Sequence, residues 1–217
     1  DVVRKGLMQR FYNPVAESLL ARANAITVST PNHLKYSEIL QSHHSKCHVI
    51  PFGIRAKHSH KTYEIQQKLE QIQQEYGNYF LFVGRLVPYK GVDVLLKAMK
   101  KVKMNLVIIG QGPRWDAWNL LSHDLGLQEQ VRFIGRVDDD VEFASFLHGC
   151  QALVLPSIDE SEAFGIVLIE AMSCAKPVLT TDLKSGVPWV NAKGVTGLEV
   201  PPRDITALAK ALHQLAS

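Results

Sequence analysis

The chain has 217 residues, a hydrophobic content of 46% and a formal net charge of +3, which is ordinary for a globular protein of one to one and a half domains. No run of about 18 apolar residues and no charged-then-apolar leader occurs, so the sequence predicts neither a transmembrane helix nor a secretory signal. The three cysteines are far apart and form no Cys-x-x-Cys pair, which favours reduced thiols and a cytoplasmic location.

Positive charge is concentrated in residues 1–60. This stretch holds eight Lys and Arg residues and three Asp and Glu residues, a net of +5, so the remainder carries −2. A basic face of this kind can meet the inner face of a membrane or an acidic acceptor, but basic and apolar residues do not share one helical face, which favours a solvated surface. Nucleic-acid binding is disfavoured, because no dense Lys/Arg cluster is interleaved with aromatic residues.

The first part of the chain predicts a β-α-β unit. Pro14 and Pro31 are expected at helix starts, where the missing N–H of proline costs nothing, and Thr30 is expected to cap the second helix. Because the chain begins at Asp1 and not at Met, we expect either a fragment or a processed start. In chain order, the predicted elements are a helix over 14–23, a strand over 25–29, a helix over 31–41 and a strand over 47–51.

A boundary is predicted where the composition becomes that of a loop, over residues 53–62. The His58-x-His60 pair is a candidate metal site, but no carboxylate or Cys is near it in sequence, so a solvated linker is the preferred interpretation. A Gln/Glu-rich helix closed by Gly77 follows. The predicted units are therefore 1–55, a linker and helix over 56–77, and a larger domain over 78–217.

Apolar strands and helices alternate regularly in the larger domain. Continuous apolar strands separated by helices predict an α/β fold, in which a parallel sheet is covered by helices on both faces. The predicted strands are 79–83, 105–109, 131–134, 152–155, 177–180 and 198–200. The predicted helices are 92–99, 114–125, 142–148, one after Gly165, and 205–215 capped by Asp204.

Glycines follow four of these strands: Gly84, Gly110, Gly135 and, after a polar loop, Gly165. Each alone is explained by a tight turn, but four at one sheet edge predict a cleft lined by backbone. The pair at Gly110 and Gly112 lacks the third glycine of a dinucleotide fingerprint, and no acidic residue ends the next strand. This counts against a nicotinamide enzyme.

Two cations, Arg85 and Lys90, lie in the loop after the first strand of the larger domain. A planar guanidinium and a compact ammonium together suit a diphosphate. The loop is not a P-loop, because it lacks the Gly-Lys-Ser/Thr ending. A pair of surface cations at a turn is the alternative.

Two carboxylates, Glu162 and Glu170, bracket the turn from the fourth strand into the next helix. A helix start favours an anion, and carboxylates accept hydrogen bonds from sugar hydroxyls. We expect Glu170 to lie about 7 Å into an apolar helix, where an unpaired acid is costly. Two solvated acids are the alternative, and a glycosidase acid/base pair would leave the cation loop unexplained.

These motifs together resemble the carboxyl-terminal, donor-binding half of retaining glycosyltransferases with two Rossmann domains, the GT-B fold, in glycosyltransferase family four, group 1. The resemblance covers about residues 78–216. The motifs that carry it are Phe82-Val83-Gly84-Arg85-Leu86 with Lys90-Gly91, Ile109-Gly110-Gln111-Gly112-Pro113, Phe133-Ile134-Gly135, Glu162 to Met172, and Thr196 to Asp204. It implies a Rossmann-like sheet, transfer of a hexosyl unit with retention, and no metal or cofactor.

The resemblance also implies roles for the site residues. Arg85 and Lys90 would grip the donor diphosphate in the loop that begins at Gly84, and Glu162 would face the donor hexose. These three are the expected catalytic residues. The other expected contacts to the donor are the amides of Phe164, Gly165 and Ile166, the ribose contact Glu170, the backbone at Arg136 and Val137 at the base, and Gly110 beside it.

The chain departs from the family at its beginning. The turn after the second strand has Phe52 and Arg55 where Asn and Asp are usual, and only part of an acceptor domain is present. We therefore expect donor binding without transfer. The stretch 185–191 resembles transferases of O-antigen and capsule, which favours a UDP-sugar, such as a UDP-N-acetylhexosamine, and a lipid-linked acceptor. A nucleotide-sugar epimerase and a non-catalytic binding module are the alternatives.

Overall fold

The amino-terminal part of the protein is a small parallel β-α-β unit. The structure is a computed structural model that describes residues 7–54 and 58–216. Strands β1 and β2 pair in parallel, with Ile26 opposite Cys47. The predicted unit is therefore confirmed in its strands. Its elements are α1 (Leu7–Arg22), β1 (Ile26–Val28), α2 (Pro31–Tyr36), α3 (Glu38–Gln41) and β2 (Cys47–Val49).

Two helix predictions in this unit are wrong. Pro14 lies inside α1 and does not start it; the helix accepts a residue that removes one backbone hydrogen bond. The single helix expected over 31–41 is two short helices, because Ser37 between them is extended, with φ −89° and ψ 108°. Thr30 does occupy the N-cap position, but its side chain makes no capping bond to the helix.

The second part of the chain is a six-stranded sheet, in which all neighbouring strands are parallel. Every strand predicted here is present, and its ends lie within one residue of the predicted ones. The elements are α4 (Tyr63–Tyr76), β3 (Tyr79–Val83), α5 (Val92–Met99), β4 (Asn105–Ile109), α6 (Trp115–Asp124), β5 (Val131–Gly135), α7 (Asp140–Gly149), β6 (Ala152–Leu155), α8 (Ile166–Ser173), β7 (Val178–Thr181), α9 (Val187–Val190), β8 (Gly197–Val200) and α10 (Ile205–Ala216).

Alternate residues of each strand enter two separate cores. Phe80 and Phe82 of β3 lie in a core with α5 and α10, while Tyr79 and Leu81 lie in a core with α7 and α8. All four side chains are fully buried. Side chains alternate across a strand, so an apolar residue at every position means that both faces of the sheet are covered. The predicted α/β sheet with helices on both faces is thus confirmed.

The strand order changes direction between β3 and β6. The order is β5-β4-β3-β6-β7-β8, so the chain leaves β3 toward one edge of the sheet and leaves β6 toward the other. In open α/β sheets, ligands bind beyond the carboxyl ends of the strands at this switch of direction. The two loops that meet there follow Val83 and Leu155.

The solvated linker predicted around His58 is wrong at that residue. His58 is only 4% exposed, and its ring packs edge-on against Phe143 at 5.4 Å between centroids. Its carbonyl oxygen accepts hydrogen bonds from His148 Nε2 at 2.7 Å and from Cys174 Sγ at 3.2 Å. Burial against α7 and α8 therefore decides the position of this residue. Arg55, named in the sequence prediction, lies outside the described residues.

Two further observations concern the described ranges only. No His, Cys, Asp or Glu side chains within them form a group of three or more suited to a metal ion. Among the same residues, no helix has the length and apolar character needed to cross a membrane.

Candidate functional site

A buried ion pair joins the two loops at the switch point of the sheet. Lys90 ends a 3-10 turn after β3, and Glu162 lies in the loop between β6 and α8. The distance from Lys90 Nζ to Glu162 Oε2 is 2.6 Å. The two residues are 9% and 6% exposed. The sequence predicted both at one sheet edge, and the structure brings them into direct contact.

Gly91 allows this close approach. It adopts a left-handed conformation with φ 66°, and a Cβ atom there would lie 2.2 Å from the carbonyl oxygen of Pro156. A backbone hydrogen bond from Ile158 N to Tyr89 O, 2.8 Å long, ties the same two loops together. Only a residue without a side chain fits at this crossing.

Ser157 completes the arrangement and was missed in the sequence analysis. Its hydroxyl donates to Glu162 Oε2 at 2.8 Å, and its side chain is fully buried. Its carbonyl oxygen accepts a hydrogen bond from the hydroxyl of Thr181 at the end of β7. One carboxylate oxygen thus receives an ammonium and a hydroxyl donor. The signal that could have found Ser157 is its place directly after Pro156, the proline that follows β6.

Tyr89 and Arg85 lie in the same loop as Lys90 and surround the ion pair with further polar groups. Burial raises the pKa of the Tyr89 phenol, and the negative charges of Glu162 and Asp159 raise it further, while Arg85 opposes them. Lys90 Nζ also lies 5.6 Å from the centroid of the Tyr89 ring. Arg85 itself is exposed, so it lies at the rim of the site and Lys90 at its floor.

Glycines bring the neighbouring strand ends close together. A Cβ atom on Gly110 would lie 1.9 Å from the carbonyl oxygen of Gly84, and one on Gly84 would lie 3.4 Å from Lys90 Nζ. The amide of Gly110 also donates to the carbonyl of Gly135 at 2.7 Å. The backbones of these three strand ends therefore approach one another closely beside the ion pair.

Comparison with known proteins identifies the architecture. A family described as glycosyl transferases group 1 matches residues 64–217. The chain belongs to this family.

Two relatives of this group 1 chain align along nearly all of it. It is 33% identical over 216 residues to O-antigen chain mannosyltransferase C of Escherichia coli, covering 99% of this chain and 57% of that protein. It is 34% identical over 216 residues to D-rhamnosyltransferase WbpZ of Pseudomonas aeruginosa, covering 99% and 56%. The chain therefore spans somewhat more than half the length of these relatives.

Solved structures agree on the fold. The crystal structure of Anabaena Alr3699/HepE in complex with UDP superposes with a TM-score of 0.86 at 21% identity, covering 100% of this chain and 60% of the other. Sucrose-phosphate synthase from Thermosynechococcus elongatus gives 0.79 at 26% identity, covering 99% and 55%. The group 1 chain thus has the fold of the GT-B glycosyltransferases, as the resemblance implied.

The amino end of α8 follows Glu162 of the ion pair by four residues. Gly165 is the N-cap of this helix, with φ 75°, and a Cβ atom there would lie 2.9 Å from the side chains of Leu155 and Leu168. Phe164 is buried and Ile166 is exposed. The amides of a first helical turn have no partner within the helix, so this end favours an anion.

The remaining predicted contacts are more peripheral. Glu170, in the second turn of α8, is half-buried. Arg136 follows β5, two strands away from β3, and is exposed in an ion pair with Asp138. Val137 beside it is half-buried.

Residues from the amino-terminal unit also reach the site. The ring of Phe52 meets that of Phe164 edge-on, 5.1 Å between centroids. Asn32 Nδ2 donates to the carbonyl of Ser185 at 2.9 Å. Both residues precede the matched region 64–217. No local sequence pattern predicts contacts between residues this far apart.

A second depression, of about 450 Å³, lies at the opposite edge of the sheet. Its lining includes Gln130, whose amide donates to the carbonyls of Val102 and Met104 at 2.6 Å each. These hydrogen bonds link the segments that lead into β4 and β5.

Proposed function

We propose that this chain is the donor-binding half of a retaining hexosyltransferase that takes a sugar from a nucleoside diphosphate sugar, with uridine as the base. The acceptor is a glycan or a lipid-linked glycan in polysaccharide biosynthesis. The observation that carries the proposal is the buried Lys90–Glu162 pair at the switch point of the sheet. Support comes from two relatives, one named as an O-antigen chain mannosyltransferase and the other as a D-rhamnosyltransferase.

The diphosphate would lie between Lys90 and the start of α8. Lys90 supplies a charge that is held in place by Glu162 and by its loop, so little of its side chain remains to be ordered on binding. Arg85 at the rim supplies a planar donor set for the outer phosphate oxygens. The first-turn amides of α8 add a third positive group without a net charge.

Glu162 would then hold the sugar. Its Oε2 already receives Lys90 and Ser157, so its second oxygen is the atom that would accept from a hexose hydroxyl. The sugar and the diphosphate are directly bonded to each other. Two residues in contact, the cation Lys90 for the diphosphate and the anion Glu162 for the sugar hydroxyls, therefore suit this ligand. Glu170, farther along α8, would accept from the ribose, with Gly110 and the backbone at Arg136 and Val137 near the base.

Transfer would follow a front-face course. The bond from the anomeric carbon to the diphosphate oxygen breaks, and the acceptor oxygen bonds to the same face of that carbon. The acceptor proton passes to the departing diphosphate. Lys90, Arg85 and the amides of α8 stabilise the negative charge that develops on the leaving group, which is where such groups lower a barrier.

No metal ion is part of this proposal. Its test is the affinity for UDP measured with excess EDTA and with excess Mg²⁺. Equal affinities are expected, and a requirement for Mg²⁺ would contradict this part of the proposal.

The proposal is tested by calorimetric titration of the chain with UDP, GDP and ADP. We expect binding of UDP, and at least a tenfold loss of affinity in Lys90→Ala, since a charged contact to phosphate contributes about 1.5–3 kcal/mol. Lys97→Ala is the matched control, because Lys97 is an exposed lysine paired with Asp93 at 3.8 Å. Binding that Lys90→Ala leaves unchanged would sink the diphosphate assignment.

Donor binding without transfer is a separate part of the proposal. The acceptor side of a GT-B enzyme is built from its other domain, of which this chain holds a part. Incubation of the chain with radiolabelled UDP-sugars and a lipid-linked acceptor should give no labelled product, although the same sugars bind. Product formation by this chain would contradict it. No nucleotide binding at all would favour a non-catalytic module.

A further inference from the structure

The loop that carries Glu162 is held at its beginning by the last residue of β7. The hydroxyl of Thr181 donates a hydrogen bond to the carbonyl oxygen of Ser157, and both side chains are buried. Ser157 in turn donates its own hydroxyl to Glu162 Oε2 at 2.8 Å. Two hydrogen bonds through one residue therefore lead from the end of β7 to the carboxylate.

The same loop is held at its end by the turn that follows β7. The amide of Gly186 donates to the carbonyl oxygen of Ala163, the residue directly after Glu162, at 2.8 Å. A Cβ atom on Gly186 would lie 2.5 Å from that carbonyl oxygen. The backbone of Gly186 has φ −70° and ψ −18°, which a residue with a side chain also adopts. Glycine is therefore required here by the lack of space and not by the backbone angles.

The turn itself is fixed by the bonds of Ser185, which is 3% exposed. Its amide donates to the carbonyl of Leu183 at 2.8 Å, and its hydroxyl accepts from the amide of Val187 at 3.3 Å. Its carbonyl accepts from Asn32 Nδ2 of the amino-terminal unit at 2.9 Å. Contacts inside the turn and behind it therefore give the Glu162 loop a firm support.

We propose that the segment 181–186 is a clamp that positions Glu162, with Thr181 as its positioning residue. The clamp fixes the backbone on both sides of Glu162, at Ser157 and at Ala163. It thereby limits the directions in which the carboxylate can face the donor sugar. This inference rests on the proposed function of Glu162, and it gives the end of β7, for which no donor contact is expected, a part in recognition of the sugar.

The clamp should act on the sugar and not on the diphosphate. Lys90 is held within its own loop, where its amide donates to the carbonyl of Val87 at 3.0 Å, and this bond does not involve the clamp. A loosened clamp therefore leaves the cation in place while the carboxylate of Glu162 loses its fixed direction. A residue that supports only the fold would instead weaken both ligands equally.

The test compares UDP with UDP-glucose, and GDP with GDP-mannose, in calorimetric titrations of the chain. Thr181→Val keeps the shape of the side chain and removes its hydroxyl. We expect affinity for the sugar nucleotide to fall about five- to tenfold, the effect of one lost hydrogen bond, and affinity for the nucleoside diphosphate to change less than about twofold. Thr181→Ser keeps the hydroxyl and should restore the sugar nucleotide.

Thr180→Val is the matched control on the same strand. Thr180 is fully buried, but its hydroxyl accepts from Asn191 Nδ2 at 2.8 Å, and neighbouring side chains of a strand point to opposite faces. This variant should lose stability in urea unfolding and keep the ratio of the two affinities. A selective loss of the sugar nucleotide as large as that in Thr181→Val would overturn the clamp.

Gly186→Ala tests the other end of the clamp. The added methyl group would push against the carbonyl of Ala163, so we expect the same selective loss of the sugar nucleotide. Gly149→Ala is the control for crowding, because a Cβ atom there would lie 2.4 Å from the hydroxyl of Tyr79, at the end of α7. Equal losses of UDP and UDP-glucose in Thr181→Val and Gly186→Ala would overturn the proposal.

Hydrogen exchange supplies a readout that needs no ligand. The amide of Ile158 donates to the carbonyl of Tyr89, and the amide of Gly186 closes the clamp. Both amides should exchange faster in Thr181→Val than in the unaltered chain, Thr181→Ser or Thr180→Val. Unchanged exchange at both would overturn the role of Thr181. If the unaltered chain bound no nucleotide, the proposed function would fall, and the exchange rates would still decide whether Thr181 holds the loop.

Discussion

Gly91 and Pro156 lie so close together that a Cβ atom on the glycine would meet the proline carbonyl oxygen at 2.2 Å. One residue before Gly91 is Lys90, and one residue after Pro156 is Ser157. The crossing of these two backbones therefore brings together the cation and the hydroxyl that both bond Glu162. The arrangement of these three side chains therefore depends on the close approach of two backbones, at Gly91 and Pro156.

Gly91→Ala should separate the two loops. The substitution adds a backbone clash to the cost of a left-handed conformation, which is about 1–2 kcal/mol for an alanine. Gly126→Ala is the matched control, because Gly126 has φ 71° but nothing lies within 4 Å of its Cβ position. Urea unfolding should show a larger loss of stability for Gly91→Ala, and UDP affinity should fall only there. Equal effects of the two changes would show that the crossing carries no added strain.

The ion pair should be strongly coupled. Lys90→Met leaves the Glu162 carboxylate buried without its cation, which costs about 3–5 kcal/mol. Glu162→Gln in the same chain removes that uncompensated charge. We expect the double variant to be more stable than Lys90→Met alone in urea unfolding. Additive losses would mean that the two side chains do not interact in the folded protein.

Ser157→Ala should lower the affinity for a sugar nucleotide more than the affinity for the nucleoside diphosphate. The change removes one of the two groups that bond Glu162 Oε2, while Lys90 keeps its charge. We expect a loss of about 1 kcal/mol in stability as well, the net value of one hydrogen bond. Ser122→Ala, at another buried serine, is the control for burial alone. Calorimetry with UDP and UDP-glucose measures both effects, and an equal loss of the two ligands would contradict the role of Ser157.

Acid should destabilise the protein through His148. Burial lowers the pKa of this imidazole below 6.5, with nearby Lys61 and Lys176 adding to the effect and the bond to the His58 carbonyl opposing it. The unfolded chain therefore takes up the proton first as the pH falls. The stability that depends on the neutral ring is present above pH 6.5 and is lost as the pH drops through the lowered pKa.

The measurement for this effect is urea unfolding at several pH values from neutral to about pH 5. His148→Gln keeps a donor for the His58 carbonyl but does not titrate. The variant should lose less stability than the unaltered chain over that interval. Parallel loss curves would place the acid sensitivity elsewhere.

The sheet was predictable because its signals are local. The run Tyr79–Val83 is apolar at every position and ends at a glycine, and that pattern needs both faces of the strand to be covered. The Lys90–Glu162 neighbourhood was predictable in part, since loops after parallel strands meet at one edge. Their direct contact was not, because it depends on the order of β3 and β6 in the sheet.

The features that sequence reasoning missed depend on distant partners. Thr30 looked like a helix cap, but its hydroxyl meets the ring of His33, and its methyl group lies against Gly186. His58 looked solvated, but α7 and α8 cover it. The residues next to Thr30 and His58 in the sequence do not indicate which distant residues these two contact. The residues around Pro14 fit a helix start as well as a helix interior. Pro14 lies in the interior because α1 begins seven residues earlier, at Leu7.

The central claim is that Lys90 and Glu162 hold the two halves of one sugar nucleotide. A crystal structure of the chain grown with UDP-glucose tests it most directly. We expect the diphosphate within hydrogen-bonding distance of Lys90 Nζ and at the amino end of α8, with a sugar hydroxyl on Glu162. A nucleotide bound elsewhere on the surface, with the Lys90–Glu162 pair unchanged and no ligand beside it, would contradict the assignment.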